Sequence, residues 1–192
     1  LNDFFNLRMT GVNVSLFTYL KFNYFNRNKR IYFPVHEGSE VNGNILLGVN
    51  NDILKRPGNY IQGVGGVIIG DYVSFASNIG VISSNHNVYN LKERAKKSLV
   101  IIGNYSWIGM NSVILPGVKL GNHTIVAAGS IVTKSFPQGH CVIGGNPAKL
   151  IKKLDPEKFV PHKDEHEFHG YIPKRKFETY KNRYLKSFLN DE

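Results

Sequence analysis

From Ile102 onward a large aliphatic side chain recurs every six residues, at Ile102, Ile108, Ile114, Leu120, Val126 and Val132. Upstream, Ile69, Phe75 and Val81 keep the same beat. Gly103, Gly109, Gly121 and Ala127 follow their aliphatics directly, and Ser106, Ser112, Thr124 and Ser130 stand four places after. A period of six suits neither an amphipathic helix, near 3.6, nor a half-buried strand, at 2. It suits a solenoid whose short strands turn a corner every six residues. If three such faces close one coil, residues eighteen apart stack at the β spacing of about 4.8 Å. That predicts Ile102 under Leu120, Ile108 under Val126 and Ile114 under Val132. Small residues are expected at the corners because the chain turns tightly there and glycine adopts φ > 0. A β-sandwich would account for strands but not for so regular a beat.

The beat breaks once. From Val81 to Ile102 is twenty-one residues, one step of six plus an excursion of fifteen, carrying "SSNHNVYN" at its start and "LKERAKK" at its end. A loop that long inside a compact solenoid is functional or disordered. The exposed end coils also need covering. Residues 1–40, rich in Phe, Tyr and Asn, read as an N-terminal cap, and residues 41–154 as the repeat domain with the loop at 82–101. Residues 155–192 read as a charged C-terminal extension closing the other end. The pattern leaves the register of residues 41–66 open.

A chain of 192 residues is one domain with terminal extensions. Its single Cys141 forms no internal disulfide, which fits a reducing cytoplasm. The stretch "VNVSLFTYLKFNYFN" is interrupted by Asn13, Lys21 and Asn23 and is too short and polar to span a membrane. No leader pattern is read, and a chain that begins at Leu1 rather than Met leaves the completeness of its start open. The formal charge of +10 is spread almost evenly along the sequence rather than gathered in a patch, and no nucleic-acid motif accompanies it. Nucleic acid is therefore not the expected partner.

The segments "IIGDYVSFASNIGVISSNH", "VIIGNYSWIGMNSVILPGVKLGNHTIVAAGSIVTKSF" and "VIGGNPAKLIKKL" together resemble the hexapeptide-repeat acyltransferases. The likeness is to the branch that holds galactoside, maltose and xenobiotic acetyltransferases and bacterial polysaccharide O-acetyltransferases, and it covers roughly residues 61–154. It implies an all-β fold, a left-handed parallel β-helix, assembled as a homotrimer with active sites between subunits. Acetyl-CoA is the implied donor, with no metal. The stretch "KFNYFNRNKRIYFPV", residues 21–35, resembles the aromatic N-terminal segment of the polysaccharide enzymes.

The resemblance puts His86 at the position of the family's catalytic histidine. The chemistry asks for a base half deprotonated near neutral pH, within reach of an acceptor hydroxyl, and imidazole meets that need. Asn78, in "ASNIG", matches a motif asparagine, although asparagine also favours tight corners for its turn chemistry alone. Asn85 is a further candidate beside Asn78 for the acceptor. Trp107, in "SWIG", corresponds to a tryptophan lining the family's acceptor and pantetheine region, a position that packing at the trimer interface would also explain. For the donor, Met110 and Ala128 match positions along the pantetheine arm, Thr133 and Lys134 the adenine end, and Lys149 and Lys152 the phosphates. At those last two positions lysine supplies charge without the bidentate fork of arginine.

The remaining histidines are read as structural or solvated. His123 occupies an outward repeat position, and His36 and His140 have no pattern. His162, His166 and His169, in "HKDEHEFH", have a spacing that could hold a metal on a helix, yet a charged surface accounts for them as well. A zinc hydratase on this scaffold would need several histidines converging on one metal, and the coils lack them. A purely structural solenoid would leave the loop histidine, Trp107 and "NPAK" without purpose. The expected activity is thus acetylation of a sugar hydroxyl of a surface polysaccharide or its lipid-linked precursor, in the cytoplasm with peripheral membrane association. The alternative is a chloramphenicol- or streptogramin-type antibiotic O-acetyltransferase. Aromatic faces and amides in residues 21–35 suit a sugar.

Overall fold

A computed structural model describes residues 1–12, 14–25, 29–53 and 55–185. After α1 (Asn2–Met9) and α2 (Leu16–Leu20), which a π-helical turn extends over Lys21–Phe25, the chain enters the coils. The strands are β1 (Glu40–Leu47), β2 (Tyr60–Ile69), β3 (Ser74–Phe75), β4 (Gly80–Ile82), β5 (Val100–Ile102), β6 (Trp107–Ile108) and β7 (Val113–Ile114). They continue with β8 (Lys119–Leu120), β9 (Thr124–Val126), β10 (Ile131–Val132), β11 (Cys141–Gly145) and β12 (Ala148–Lys153). A short hairpin, β13 (Phe168–His169) with β14 (Ile172–Pro173), and α3 (Lys174–Tyr184) complete the described chain.

Three faces carry the strands. The first holds the second halves of β1 and β2, then β5 and β8, and the second holds β3, β6, β9 and β11. The third holds the first halves of β1 and β2, then β4, β7 and β10. All these pairings are parallel, as a solenoid requires. The register is the expected one, with Ile102 opposite Leu120, Ile108 opposite Val126 and Ile114 opposite Val132. The aliphatics point inward and exclude water completely or nearly so. The early coils are looser, because β1 pairs with β2 through a register shift between Gly43 and Ile45. The backward hairpin β11–β12 is antiparallel and closes the far end of the second face.

The hydroxyl residues four places after each aliphatic are buried rungs. Ser112 Oγ donates to the Ala127 carbonyl (3.0 Å) and accepts from the Ser130 amide (3.3 Å), while Ser106 Oγ accepts from the Thr124 amide (3.2 Å). These two satisfy corner groups of the coil above, which would otherwise be costly to bury, while Thr124 and Ser130 donate to the Gly121 and Ala127 carbonyls of their own coils. The glycines after the aliphatics do not serve as expected. Gly103 and Gly109 lie outside the left-handed region. They are small because a Cβ at Gly103 would sit 2.5 Å from the Gly121 carbonyl carbon, and one at Gly109 2.6 Å from the Ala128 amide nitrogen. The left-handed corners are held instead by Tyr72, Asn78, Tyr105, Asn111 and His123, joined by Gly117 and Gly129.

Over its described residues, to Leu185, the tail does not close the far end of the solenoid. It runs back along a corner and joins the N-terminal cap. Asn50 accepts from the Phe168 amide through its Oδ1 (2.9 Å), and Tyr32 Oη, fully buried, accepts from the Leu47 amide (2.7 Å). Asp3 on α1 takes Arg175 (2.6 Å) and Lys176 (2.9 Å) from α3. The two ends of the chain thus share one cap over the first coils.

Candidate functional site

The excursion leaves the third face after β4, at the corner leading to the first face. Its root is narrow: Ser98 N donates to the Ser83 carbonyl (3.0 Å), and both Ser83 and Ser84 are buried. Gln62 Nε2 props the root by donating to the Ser84 carbonyl (2.9 Å). Beyond it the chain forms a small antiparallel finger, with His86 opposite Arg94 and the Ala95 amide on the Asn85 carbonyl (2.9 Å). Asn87, Asn90 and Glu93 tie its tip, since the Tyr89 amide donates to Asn87 Oδ1 (2.9 Å) and Asn90 Nδ2 to Glu93 Oε1 (2.8 Å). These are the turn roles that Asn fills readily. Val88, Tyr89 and Leu91 project from the finger into solvent.

His86 is exposed, and its Nδ1 lies 2.9 Å from the Leu91 carbonyl oxygen. A carbonyl can only accept, so Nδ1 must carry the hydrogen. The neutral ring therefore presents Nε2 as a bare lone pair, in an orientation the finger fixes. That is the arrangement of a general base whose second nitrogen is engaged.

Apart from Trp107 and Lys152, the other predicted residues fall along the two edges of the third face. Asn85 lies beside His86 at the loop's root. The Gly117 amide donates to the Ser98 carbonyl (3.3 Å), and Ser135 Oγ to the Gly117 carbonyl (3.5 Å), so Thr133 and Lys134 occupy the loop's own corner two coils on. Asn78 sits on the opposite edge in the left-handed conformation (φ 59°), and Met110 and Ala128 follow it there. The Asn111 amide bonds the Ser77 carbonyl (3.3 Å) and the Gly129 amide the Met110 carbonyl (2.8 Å), which stacks these corners. Lys149, opposite Gly144 in β12, ends that edge. Trp107 points outward from the second face, half exposed, in a row that runs through Ile125 and Val142 to Lys152. A single chain thus keeps His86, Asn85, Thr133 and Lys134 apart from Asn78, Met110, Ala128 and Lys149. Within residues 21–35, Phe22 packs on Tyr171 with ring centroids 4.8 Å apart, and Tyr32 and Phe33 are buried, so packing accounts for these three.

A ladder on the remaining corner escaped the six-residue reading. Tyr72 stacks on Tyr105 (5.2 Å, 9° between planes), and His123 and His140 continue the column with Nδ1 atoms 3.4 Å apart. Phe159 and His162 of the tail insert against it, and Tyr105 Oη donates to the His162 carbonyl (2.8 Å). The signal was present: Tyr105 and His123 are eighteen apart, His140 is seventeen further, and Tyr72 is one coil earlier once the excursion is removed. The tail histidines have separate neighbours. His162 lies on the tyrosines, the His166 carbonyl accepts from Asn50 Nδ2 (2.9 Å), and His169 donates from Nδ1 to the Leu47 carbonyl (2.8 Å) while stacking on Phe177 at 3.6 Å. Among the described residues no group of three or more His, Cys, Asp and Glu could hold a metal ion.

Burial holds His169 below the ordinary histidine pKa, and burial together with His140 does the same for His123. Unfolding releases both to about 6.5, so below that pH the unfolded chain binds protons that the folded chain refuses. The stability that these neutral rings contribute is present above about pH 6.5 and declines as pH falls toward their lower folded values. The thermal midpoint is expected to drop between about pH 7.5 and 5. His169→Gln should flatten the slope, and an unchanged slope would remove His169 from this account.

Residues 100–134 match the family described as bacterial transferase hexapeptide (six repeats). The galactoside O-acetyltransferase of Escherichia coli K12 is 37% identical over 102 residues, covering 51% of this chain and 50% of that protein. WbbJ of the same strain, named provisionally as a lipopolysaccharide biosynthesis O-acetyl transferase, is 33% identical over 110 residues, 51% of this chain and 56% of its own. A chloramphenicol acetyltransferase of Klebsiella aerogenes is 41% identical over a shorter stretch of 58 residues, 30% of this chain and 27% of that one. The chain spans about half the length of the first two of these relatives. The solved structure of the polySia-specific acetyltransferase NeuO superposes with a TM-score of 0.51 at 26% identity, over 77% of this chain and 66% of that one. Among the described residues no helix is long and apolar enough to cross a membrane.

Proposed function

We propose, taking the chain as the hexapeptide-repeat protein that its coils and matched residues make it, that it moves the acetyl group of acetyl-CoA to a sugar hydroxyl of a bacterial surface polysaccharide or its lipid-linked precursor. The observation that carries this reading is the Nδ1–H of His86 held on the Leu91 carbonyl, which leaves Nε2 ready to accept a proton. In the reaction, Nε2 takes the hydroxyl proton as the oxygen attacks the thioester carbonyl. The tetrahedral intermediate expels the CoA sulfur, and the proton returns from Nε2 to that sulfur, leaving an acetyl ester and free CoA. Every proton is accounted for within the histidine and the two substrates.

The donor reading rests on the edge formed by Met110 and Ala128 and on the exposed lysines beyond it. Lys149 and Lys152 lie at the far end of that edge and of the Trp107 row, on β12, where phosphates would meet charge without a rigid fork. Neutralising both with Lys149→Gln and Lys152→Gln is expected to raise the KM for acetyl-CoA several-fold with little change in kcat, because such contacts act equally on ground and transition states. A flat KM would move the phosphates elsewhere.

A homotrimer is part of the proposal. The two sets of site residues occupy opposite edges of one face, so a neighbour's edge is the simplest way to complete the site, and it would also cover Trp107. Sedimentation equilibrium is expected to return three times the chain mass of 21.6 kDa, and a monomer at micromolar concentration would remove the shared site. A cytoplasmic setting agrees with a lone, buried Cys141 and a CoA donor.

The acceptor reading draws support from the names of the relatives, two of which concern a galactoside and lipopolysaccharide and one a polysialic acid. The chloramphenicol enzyme keeps the antibiotic alternative alive over its shorter match. The deciding experiment compares kcat/KM for oligosaccharide, nucleotide-sugar and lipid-linked acceptors with chloramphenicol and a streptogramin. A sugar acceptor is expected to lead, and a preference for an antibiotic by about tenfold, or about 1.4 kcal/mol, would transfer the assignment.

A further inference from the structure

The N-terminal cap turns two apolar stripes away from the core. On α1, Phe4 and Leu7 are buried, whereas Leu1, Phe5 and Met9, spaced by four on the opposite side, are exposed. On α2 and its extension, Phe22 is buried, while Leu16, Phe17, Leu20 and Tyr24 form an outer stripe with Phe25 beside it. Phe17 keeps 76% of its surface in water and Phe25 77%. The two helices touch through Phe4 and Tyr19, whose ring centroids are 5.5 Å apart, so the stripes belong to one end of the molecule. Water-facing aromatics at this density are not explained by folding, since the cap is already anchored by Phe4, Leu7 and Phe22.

Positive charge borders the same end. Arg8 and Lys21 lie on the striped helices themselves, and α3 brings Arg175 and Lys176 onto Asp3 of α1 and Arg183 to the groove beside Tyr19 and Phe22, while its Lys181 pairs with Glu178 (3.0 Å). An open groove of about 390 Å³ between these helices is lined by Tyr19, Phe22, Lys29, Arg175, Arg183 and Tyr184. The acidic groups nearest are Asp3, neutralised by Arg175 and Lys176, Glu167 near Asn6, paired with Lys174 (3.0 Å), and Asp164 and Glu165 beside Met9. Exposed Phe, Leu and Tyr bordered by Lys and Arg is the composition of a helix that lies in a membrane interface, with the rings among acyl chains and the cations at anionic headgroups.

We propose that this cap docks the protein on an anionic lipid bilayer. The stripes enter the interfacial layer, and the cations of α3 with Arg8 and Lys21 meet the headgroups. The inference stands apart from the acetyl-transfer reading, because it concerns residues remote in sequence from His86 and is measured without substrate. If both hold, the enzyme works at the surface where a lipid-linked acceptor resides.

The test is cosedimentation of the full chain with vesicles of phosphatidylcholine alone and of phosphatidylcholine mixed with phosphatidylglycerol. Binding to the anionic vesicles is expected to be at least about tenfold tighter and to weaken as salt rises from about 0.1 to 0.5 M. The combined variant Phe5→Ser, Met9→Ser, Phe17→Ser should lose about tenfold or more of that affinity with an unchanged melting curve, since all three side chains are exposed. Absence of binding to either vesicle would overturn the proposal, as would equal binding to both. A wild-type assembly whose mass falls in the triple variant would also overturn it, by making the cap a contact between copies of the chain.

Discussion

Replacing His86 with alanine is expected to lower kcat by roughly 10²–10⁴-fold, the usual worth of a positioned general base. The KM for acetyl-CoA should stay near its wild-type value, because no proposed donor contact involves the finger. Fold should be untouched as well: the His86 ring is exposed, and its one hydrogen bond is to the Leu91 carbonyl within the same loop. His86→Asn is a useful companion. An asparagine amide could still reach that carbonyl but has no lone pair of comparable basicity, so it should preserve the finger and fail in the chemistry. An alanine enzyme with kcat within about threefold of wild type would remove His86 from the mechanism.

Much of the coil was legible because its cause is local and periodic. An inward aliphatic every sixth residue gives an eighteen-residue repeat once three faces close a coil, and the pairs Ile102–Leu120, Ile108–Val126 and Ile114–Val132 then follow from counting. The hydroxyl rungs were visible as a pattern, although their task of satisfying buried corner amides needs the coils in place. What counting could not reach depends on contacts with no period. The partnership of Asn50 with Phe168, of Leu47 with His169 and of Asp3 with Arg175 spans more than a hundred residues, and nothing along the chain announces it. For that reason the tail was expected at the wrong end.

The candidate site divides in the same way. His86 stood out because it opens the one break in the beat. Its tautomer did not, since the Leu91 carbonyl reaches it only when the finger folds back. The corner residues were misread in a telling respect: small residues were expected at the tight corners, yet Tyr72, Tyr105 and His123 hold corners with positive φ. A side chain there costs on the order of 1 kcal/mol in backbone terms. Stacking in the aromatic column is the compensating interaction, and it also gives the tail a surface to follow.

Phe75→Ala is expected to cost about 3–5 kcal/mol of unfolding free energy, the range for removing a buried aromatic ring. Phe75 is wholly excluded from water and stacks beneath Ile108 in the second face. The space it fills cannot close, because the backbones above and beside it are pinned by the Ser74 amide on the Ser106 carbonyl (2.9 Å) and the Ala76 amide on the Ile108 carbonyl (3.0 Å). The Phe75 amide is itself held by Asp52 Oδ1 at 2.7 Å, so the strand does not shift inward. In a solenoid each coil contacts only its neighbours, and the loss should therefore be felt most in the coil that precedes the finger. The finger keeps its own hydrogen bonds, and kcat below the melting transition should remain close to wild type. Urea unfolding reads the first effect and an acetyl-transfer assay the second. A stability loss under about 1 kcal/mol would mean that the coil collapses onto the missing ring. A kcat that fell with stability would mean that the second face, through Ser74 and Trp107, helps to set the geometry of the site.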